Sequence, residues 1–138
     1  MIHFTAPLMS AIDTILAVMF YLFTAARAGK ARAEFGIAAP ATVGHPIFER
    51  AYRVQMNTLE QLAAFVPLLW LTAIYPMPVA WIAPLVGLVW VIGRILYQRA
   101  YMRDPTTRAM GVMTSGLAIV ALLALAIAGV LRAGLGWA

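Results

Sequence analysis

Three groups of residues in this sequence have the types and the spacing to do chemistry. Arg50, Arg53, Asn57 and Glu60 recur at steps of three, four and three, which places them on one face if the segment is helical. Gln55 and Gln61 lie beside them. Arg94, Tyr97 and Tyr101 recur at three and four and would share a face of another helix. Arg108 follows Asp104-Pro105-Thr106-Thr107, which reads as a helix start with Asp104 as N-cap and Pro105 in the first helical position. Guanidinium groups bind carboxylates through paired N–H donors. A carboxylate such as Glu60 takes an ammonium, and an arginine at a helix N-terminus favours an anion.

A plainer account stands beside the first two groups. A solvated helix end with internal salt bridges explains Glu49 and Arg50 and can extend to Arg53. It explains Asn57, Glu60 and Gln61 less well, because they abut the apolar run 62–75. Arg53 and Glu60 would lie about 10.5 Å apart along a helix axis, too far to pair directly. The two tyrosines also fit an interfacial aromatic belt, and topology with snorkelling covers Arg94, Arg99 and Arg103.

The elements that must position these residues are membrane helices. The chain is 64% hydrophobic and 11% charged, with a mean hydropathy of +0.88; a soluble domain would carry about 25% charged residues. The pattern predicts an all-α integral membrane protein, a single four-span domain with spans at about 6–27, 46–75, 79–102 and 105–131 forming an antiparallel bundle. The first run lacks a basic leader and reads as a retained span, with Asp13 near its start either exposed to water or paired with another helix. Residues 27–45 read as a loop, carrying Arg27, Lys30, Arg32 and Glu34 and then Gly36, Pro40 and Gly44. Pro46 opens the second helix, Pro67 is placed to kink it, and Pro76-Met77-Pro78 breaks the chain before the third. Gly111, Ser115, Gly116 and Ala118 suit close helix packing in the fourth. Arg132 and Trp137 mark the far interface.

Nine of the ten basic residues fall in 27–53 and 94–108, and only Arg132 lies elsewhere. The positive-inside rule then makes loops 28–45 and 99–108 cytoplasmic and puts both termini on the opposite side. Cysteine is absent, so any sulfur chemistry must use a substrate's sulfur. His3 and His45 lie at opposite faces on this topology with no ligand cluster, so no metal site is expected. The basic stretches lack nucleic-acid module patterns, and lipid headgroups account for them.

A ligand suited to the polar face carries several negative groups and a cationic one. Glutathione has two carboxylates, an ammonium and a thiol. The arginines would take the carboxylates, Glu60 the ammonium, and a thiol near Arg108 would have its pKa lowered. The bilayer would deliver a hydrophobic electrophile or lipid to the thiolate.

The stretch Phe48-Glu49-Arg50-Ala51-Tyr52-Arg53-Val54-Gln55-Met56-Asn57-Thr58-Leu59-Glu60 resembles the signature of the membrane-associated proteins in eicosanoid and glutathione metabolism, the MAPEG family. Tyr97-Gln98-Arg99-Ala100-Tyr101 followed by Arg108 resembles that family's third-helix pattern. The resemblance covers nearly the whole chain. It implies a four-helix bundle assembled as a homotrimer, with glutathione as co-substrate bound between subunits. It implies that Arg53, Asn57, Glu60, Tyr97 and Tyr101 bind glutathione, that Gln55 and Arg27 reach it from a neighbouring subunit, and that Arg108 stabilises the thiolate. Gln61 stands where the family's cysteinyl-leukotriene synthase has tyrosine, and Ala28 where that enzyme has a second arginine. The match thus favours a microsomal-type glutathione transferase or peroxidase. Two other functions fit the same sequence: a non-catalytic lipid- or glutathione-binding scaffold of the same family, and a small proton-coupled efflux transporter using Asp13.

Overall fold

The computed structural model describes residues 5–136; His3 and Trp137 lie outside them. The regular elements among the described residues are all helical: α1 (Ala6–Glu34), α2 (Pro46–Ile74), α3 (Ile82–Arg103), a 3-10 turn (Pro105–Arg108) and α4 (Ala109–Gly134). Three segments, Ala6–Glu34, Ile82–Arg103 and Pro105–Gly134, are long and apolar enough to cross a membrane. α2 matches α1 in length at 29 residues, about 44 Å at 1.5 Å per residue. Its first half carries the charges and amides described above.

The expected loop from Arg27 is a helix as far as Glu34. Charge alone does not stop a helix, and Ala25, Ala26, Ala28, Ala31 and Ala33 are the strongest helix formers available. Ala28 and Ala31 are also buried, against Phe48 and Ala51 of α2. The helix ends where Gly36 adopts φ +61°. There the Ile37 N–H bonds to the Arg32 carbonyl at 3.0 Å and the Gly36 N–H to that of Ala33 at 3.3 Å, the paired bonds of a Schellman cap. α2 starts at Pro46 behind His45, whose Nδ1 accepts from the Ile47 N–H at 3.3 Å and whose ring stacks on Phe35 at 3.6 Å. Pro67 lies inside one continuous helix. α3 begins at Ile82 rather than Val79, after a turn closed by the Ile82 N–H on the Val79 carbonyl.

α2 and α3 touch each other and both outer helices, while α1 and α4 share no substantial contact. The interior holds Ala17, Leu62, Phe65, Leu69, Trp90 and Leu122. Phe65 and Trp90 stack at 4.1 Å, and the Trp90 indole N–H donates to Gln61 Oε1 at 3.0 Å. Large apolar side chains such as Ile15, Met19, Ile92, Leu117 and Val120 point outward. That inversion suits lipid, where helices gain nothing by hiding apolar area from water and associate through close contact instead.

Of the two expectations for Asp13, the structure excludes exposure to water and has the side chain against another helix. The residue is 2% exposed, and a Cβ at Gly87 of α3 would overlap its carboxylate. The buried face of α1 runs Ser10, Asp13, Ala17, Thr24, Ala28, Ala31; Asp13 lies on that stripe, and its position on the helix face outweighs its nearness to the end. Gly111, Ser115 and Ala118 are buried in α4 as anticipated. A Cβ on Gly116, by contrast, would meet nothing within 4 Å, so that glycine is not a packing contact.

Candidate functional site

The buried face of α2 runs Phe48, Ala51, Val54, Thr58, Leu62, Phe65, Leu69, Thr72. The candidate residues flank this stripe: Asn57 is half-buried, and Arg53 and Glu60 are exposed. The Asn57 amide N–H donates to Glu60 Oε2 at 3.4 Å. Arg50, which shares their spacing, is engaged elsewhere: its Nη1 donates to the carbonyls of Met102 at 3.4 Å and Arg103 at 3.2 Å. It caps the end of α3 and ties it to α2. Glu49 accepts from the Gly44 N–H at 2.9 Å and pins the preceding loop.

α3 presents Arg94 and Tyr97 to the interior and Tyr101 at its edge, half-buried. The topology-and-snorkelling account of Arg94 does not hold. The residue is fully buried, with Nη1 donating to Asn57 Oδ1 at 3.0 Å and Nη2 to Thr58 Oγ1 at 2.8 Å. Thr58 in turn donates its hydroxyl to the Val54 carbonyl at 2.7 Å. The Arg94 guanidinium lies 4.3 Å from the Tyr97 ring centre, and the Tyr97 and Tyr101 rings are 5.4 Å apart. α4 approaches α3 closely here, because a Cβ on Gly111 would overlap the Tyr97 backbone.

Arg108 is in the 3-10 turn that precedes α4, not in the first turn of α4 itself. The local cap forms as anticipated: Asp104 accepts from the Thr106 N–H at 2.9 Å. That bond holds the Asp104 carboxyl below the usual carboxylate range, with the Arg50 charge adding to it. The tighter turn follows from Pro105 and from Thr107, whose hydroxyl bonds back to the Asp104 carbonyl at 2.8 Å. It leaves Arg108 exposed, with its guanidinium 5.7 Å from the Tyr101 ring centre.

Two cavities flank Tyr101 and Arg108. One of about 380 Å³ is lined by Arg53, Tyr52, Tyr101 and Glu49 among others. The other, about 450 Å³, runs from Pro105 and Arg108 to Val112 and Met113 and is apolar away from the arginine. Arg53, Asn57, Glu60, Tyr97, Tyr101 and Arg108 therefore lie around one end of the α2–α3–α4 contact. Arg27 does not join them. It is exposed on α1, 5.7 Å from the Phe23 ring, beside a smaller cavity with Lys30, Glu34 and Met102. Gln55, two residues from Arg53 and from Asn57, falls about half a turn round α2 from their face.

The sequence reading missed Thr58 as an anchor and the Trp90–Gln61 bond. Thr58 and Trp90 were both marked by periodicity. Thr58 sits on the α2 stripe, and Ala83, Gly87, Trp90, Arg94 and Tyr97 repeat at four, three, four and three along the buried face of α3.

The chain as a whole is similar to proteins of one family. The sequence model of the MAPEG family matches residues 10–128. Leukotriene C4 synthase of Bos taurus is 35% identical over 118 residues, covering 86% of this chain and 77% of the relative. Microsomal glutathione S-transferase 2 of Homo sapiens is 37% identical over 112 residues, covering 81% and 74%. An uncharacterized protein of Synechocystis is 46% identical over 119 residues, covering 86% and 85%.

Proposed function

The chain belongs to the MAPEG family, and from that membership together with the site we propose that it is a membrane-bound glutathione transferase acting on hydrophobic electrophiles. The observation that carries the reading is the position of Tyr101. Its side chain lines the cavity of Arg53, and its ring lies beside the Arg108 guanidinium. One tyrosine thus joins the face that would hold a charged peptide to the arginine that would meet its sulfur.

In this reading Arg53 takes a glutathione carboxylate through paired N–H bonds, and Glu60 takes the ammonium. Asn57, Tyr97 and Tyr101 supply polar contacts between them. Arg108 lowers the thiol pKa by stabilising the thiolate. The apolar surface of Val112 and Met113 beside Arg108 receives an electrophile from the bilayer. The thiol proton passes to solvent, the thiolate attacks the electrophilic carbon and a sulfur–carbon bond forms; the pair of the broken carbon bond departs with the leaving group or, in an addition, moves to the electrophile's acceptor atom, which takes a proton from water. The same thiolate could reduce a lipid hydroperoxide to the alcohol, a second glutathione then giving the disulfide and water.

The remaining architecture belongs to the same proposal. All four helices span the bilayer, the segments 28–45 and 99–108, helical as far as Glu34 and Arg103, face the cytoplasm, and three chains form a homotrimer. Arg27 and Gln55 then serve a neighbouring chain's site, a role supported by their turning away from Arg53 within one chain.

The test is the ultraviolet absorbance of thiolate on mixing detergent-purified protein with glutathione or with other low-molecular-weight thiols. Wild type should give the signal with glutathione, and Arg108→Ala should remove most of it. A wild-type protein that forms no thiolate and turns over no electrophile refutes the transferase. Tight lipid binding without glutathione affinity would identify a scaffold instead.

A further inference from the structure

Arg94 is the most deeply buried charge near the site, and the proposed chemistry gives it no role. It is fully buried, both of its hydrogen bonds go to neutral oxygens, and its Nε has no partner. Glu60 acts on it only at longer range. A side chain that merely filled this space would be apolar, because a buried cation without a bonded carboxylate is costly.

What the guanidinium does is decide the orientation of an amide. Asn57 can present either an oxygen acceptor or an NH₂ donor in a given direction. A guanidinium only donates. With Nη1 on Asn57 Oδ1 at 3.0 Å, the Asn57 NH₂ is turned towards Glu60, where it is found. Nη2 on Thr58, itself tied to the Val54 carbonyl, keeps the guanidinium from swinging away. The face of Tyr97 against the same guanidinium fixes that ring as well.

We infer that Arg94 is a positioning residue for glutathione, holding the Asn57 amide with its N–H donors towards the bound peptide. The inference rests on the transferase reading. Its test is a double-mutant cycle of Arg94→Met and Asn57→Ala, with glutathione affinity measured by calorimetry in detergent and kcat and KM for a model electrophile. Arg94→Met should weaken glutathione about tenfold in the wild-type background. In Asn57→Ala, where no amide remains to orient, it should weaken binding by less than about threefold. Thiolate absorbance at saturating glutathione should stay at the wild-type level, because Arg108 is untouched. Equal losses in both backgrounds overturn the positioning role and leave the transferase intact. No glutathione binding by the wild type overturns the transferase reading, and the inference with it. If Arg94→Met does not fold, Arg94→Lys is read in the same cycle. Its single ammonium cannot span both oxygens as a guanidinium does, so it should lose affinity only while Asn57 is present, and an equal loss in both backgrounds again overturns the role.

Discussion

Replacing Gly87 with alanine probes the contact between α1 and α3. The three heavy atoms nearest the added Cβ all belong to the Asp13 side chain, and the first of them would overlap it. Overpacking of this kind costs about 1–3 kcal/mol. Alanine at a mid-helix glycine gives back about 1 kcal/mol of propensity. The net loss for Gly87→Ala is then about 1 kcal/mol. Asp13→Ala should act in the opposite sense. It removes a buried Oδ2 that has no partner, a gain of about 1–3 kcal/mol, and leaves a void costing on the order of 0.5 kcal/mol. In the double variant the overlap is gone, and Gly87→Ala becomes neutral or stabilising. The coupling between the sites is about 2 kcal/mol, well above the scatter of independent sites. Thermal unfolding in detergent micelles measures it, each kcal/mol being worth about 3–5 °C at this chain length. If Gly87→Ala lowers the midpoint equally with and without Asp13, the carboxylate is not what the glycine accommodates.

Two further outcomes follow from the site. Arg53→Ala should weaken glutathione by about tenfold, the lower end for a charge-assisted pair because Arg53 is exposed, while leaving kcat at saturation near wild type; calorimetry and steady-state kinetics check it. Asp104 caps the turn that carries Arg108, and its folded pKa lies below the ordinary 3.8 because the ionised form accepts the Thr106 N–H. Its contribution is therefore present at neutral pH and lost only as the pH falls through that depressed value. Amide-exchange protection at Thr106 should persist down to that range in wild type and be missing at every pH in Asp104→Ala.

The helices were legible where apolar runs and proline marked them, and the gathering of polar residues at one end of α2 and α3 was legible in their helical spacing. What misled was the assumption that charge belongs to water. Arg27, Lys30, Arg32 and Glu34 suggested a loop, but the alanines between them form a helix face that packs on Phe48 and Ala51. Chemistry alone leaves Asp13 exposed to water or paired with another helix and puts Arg94 at an interface, yet both are buried: Asp13 on a stripe of small and polar residues of α1, Arg94 among Gly87, Trp90, Val91 and Tyr97 of α3. In a soluble protein the apolar face points inward. Here many large apolar residues also point outward, so the informative pattern was the spacing of Ser10, Ala17, Thr24 and Ala28, or of Gly87, Trp90 and Tyr97. Arg50 shows the converse limit: its spacing matched Arg53 and Asn57, but the carbonyls at the end of α3 come from 52 and 53 positions away, and one helix's periodicity cannot reveal such a partner.

These constraints divide the site into two halves. α3 is held on three sides: Gly87 brings it against α1, Gly93 and Gly111 bring it against α4, and Arg94 bonds it to α2. In lipid, close approach and hydrogen bonds supply the association that apolar burial supplies in water. The helix most tightly fixed by these means is the one that carries Tyr97 and Tyr101. Arg53, Glu60 and Arg108 project from exposed positions beside them, and fixing a long side chain in one rotamer costs entropy. A ligand that bridges the two halves therefore meets tyrosines already in place and must itself order the charged groups. On the proposed transferase reading, rigidity on α3 would set where the peptide lies, and the charges of α2 and of the turn before α4 would set which peptide is held and whether its sulfur ionises.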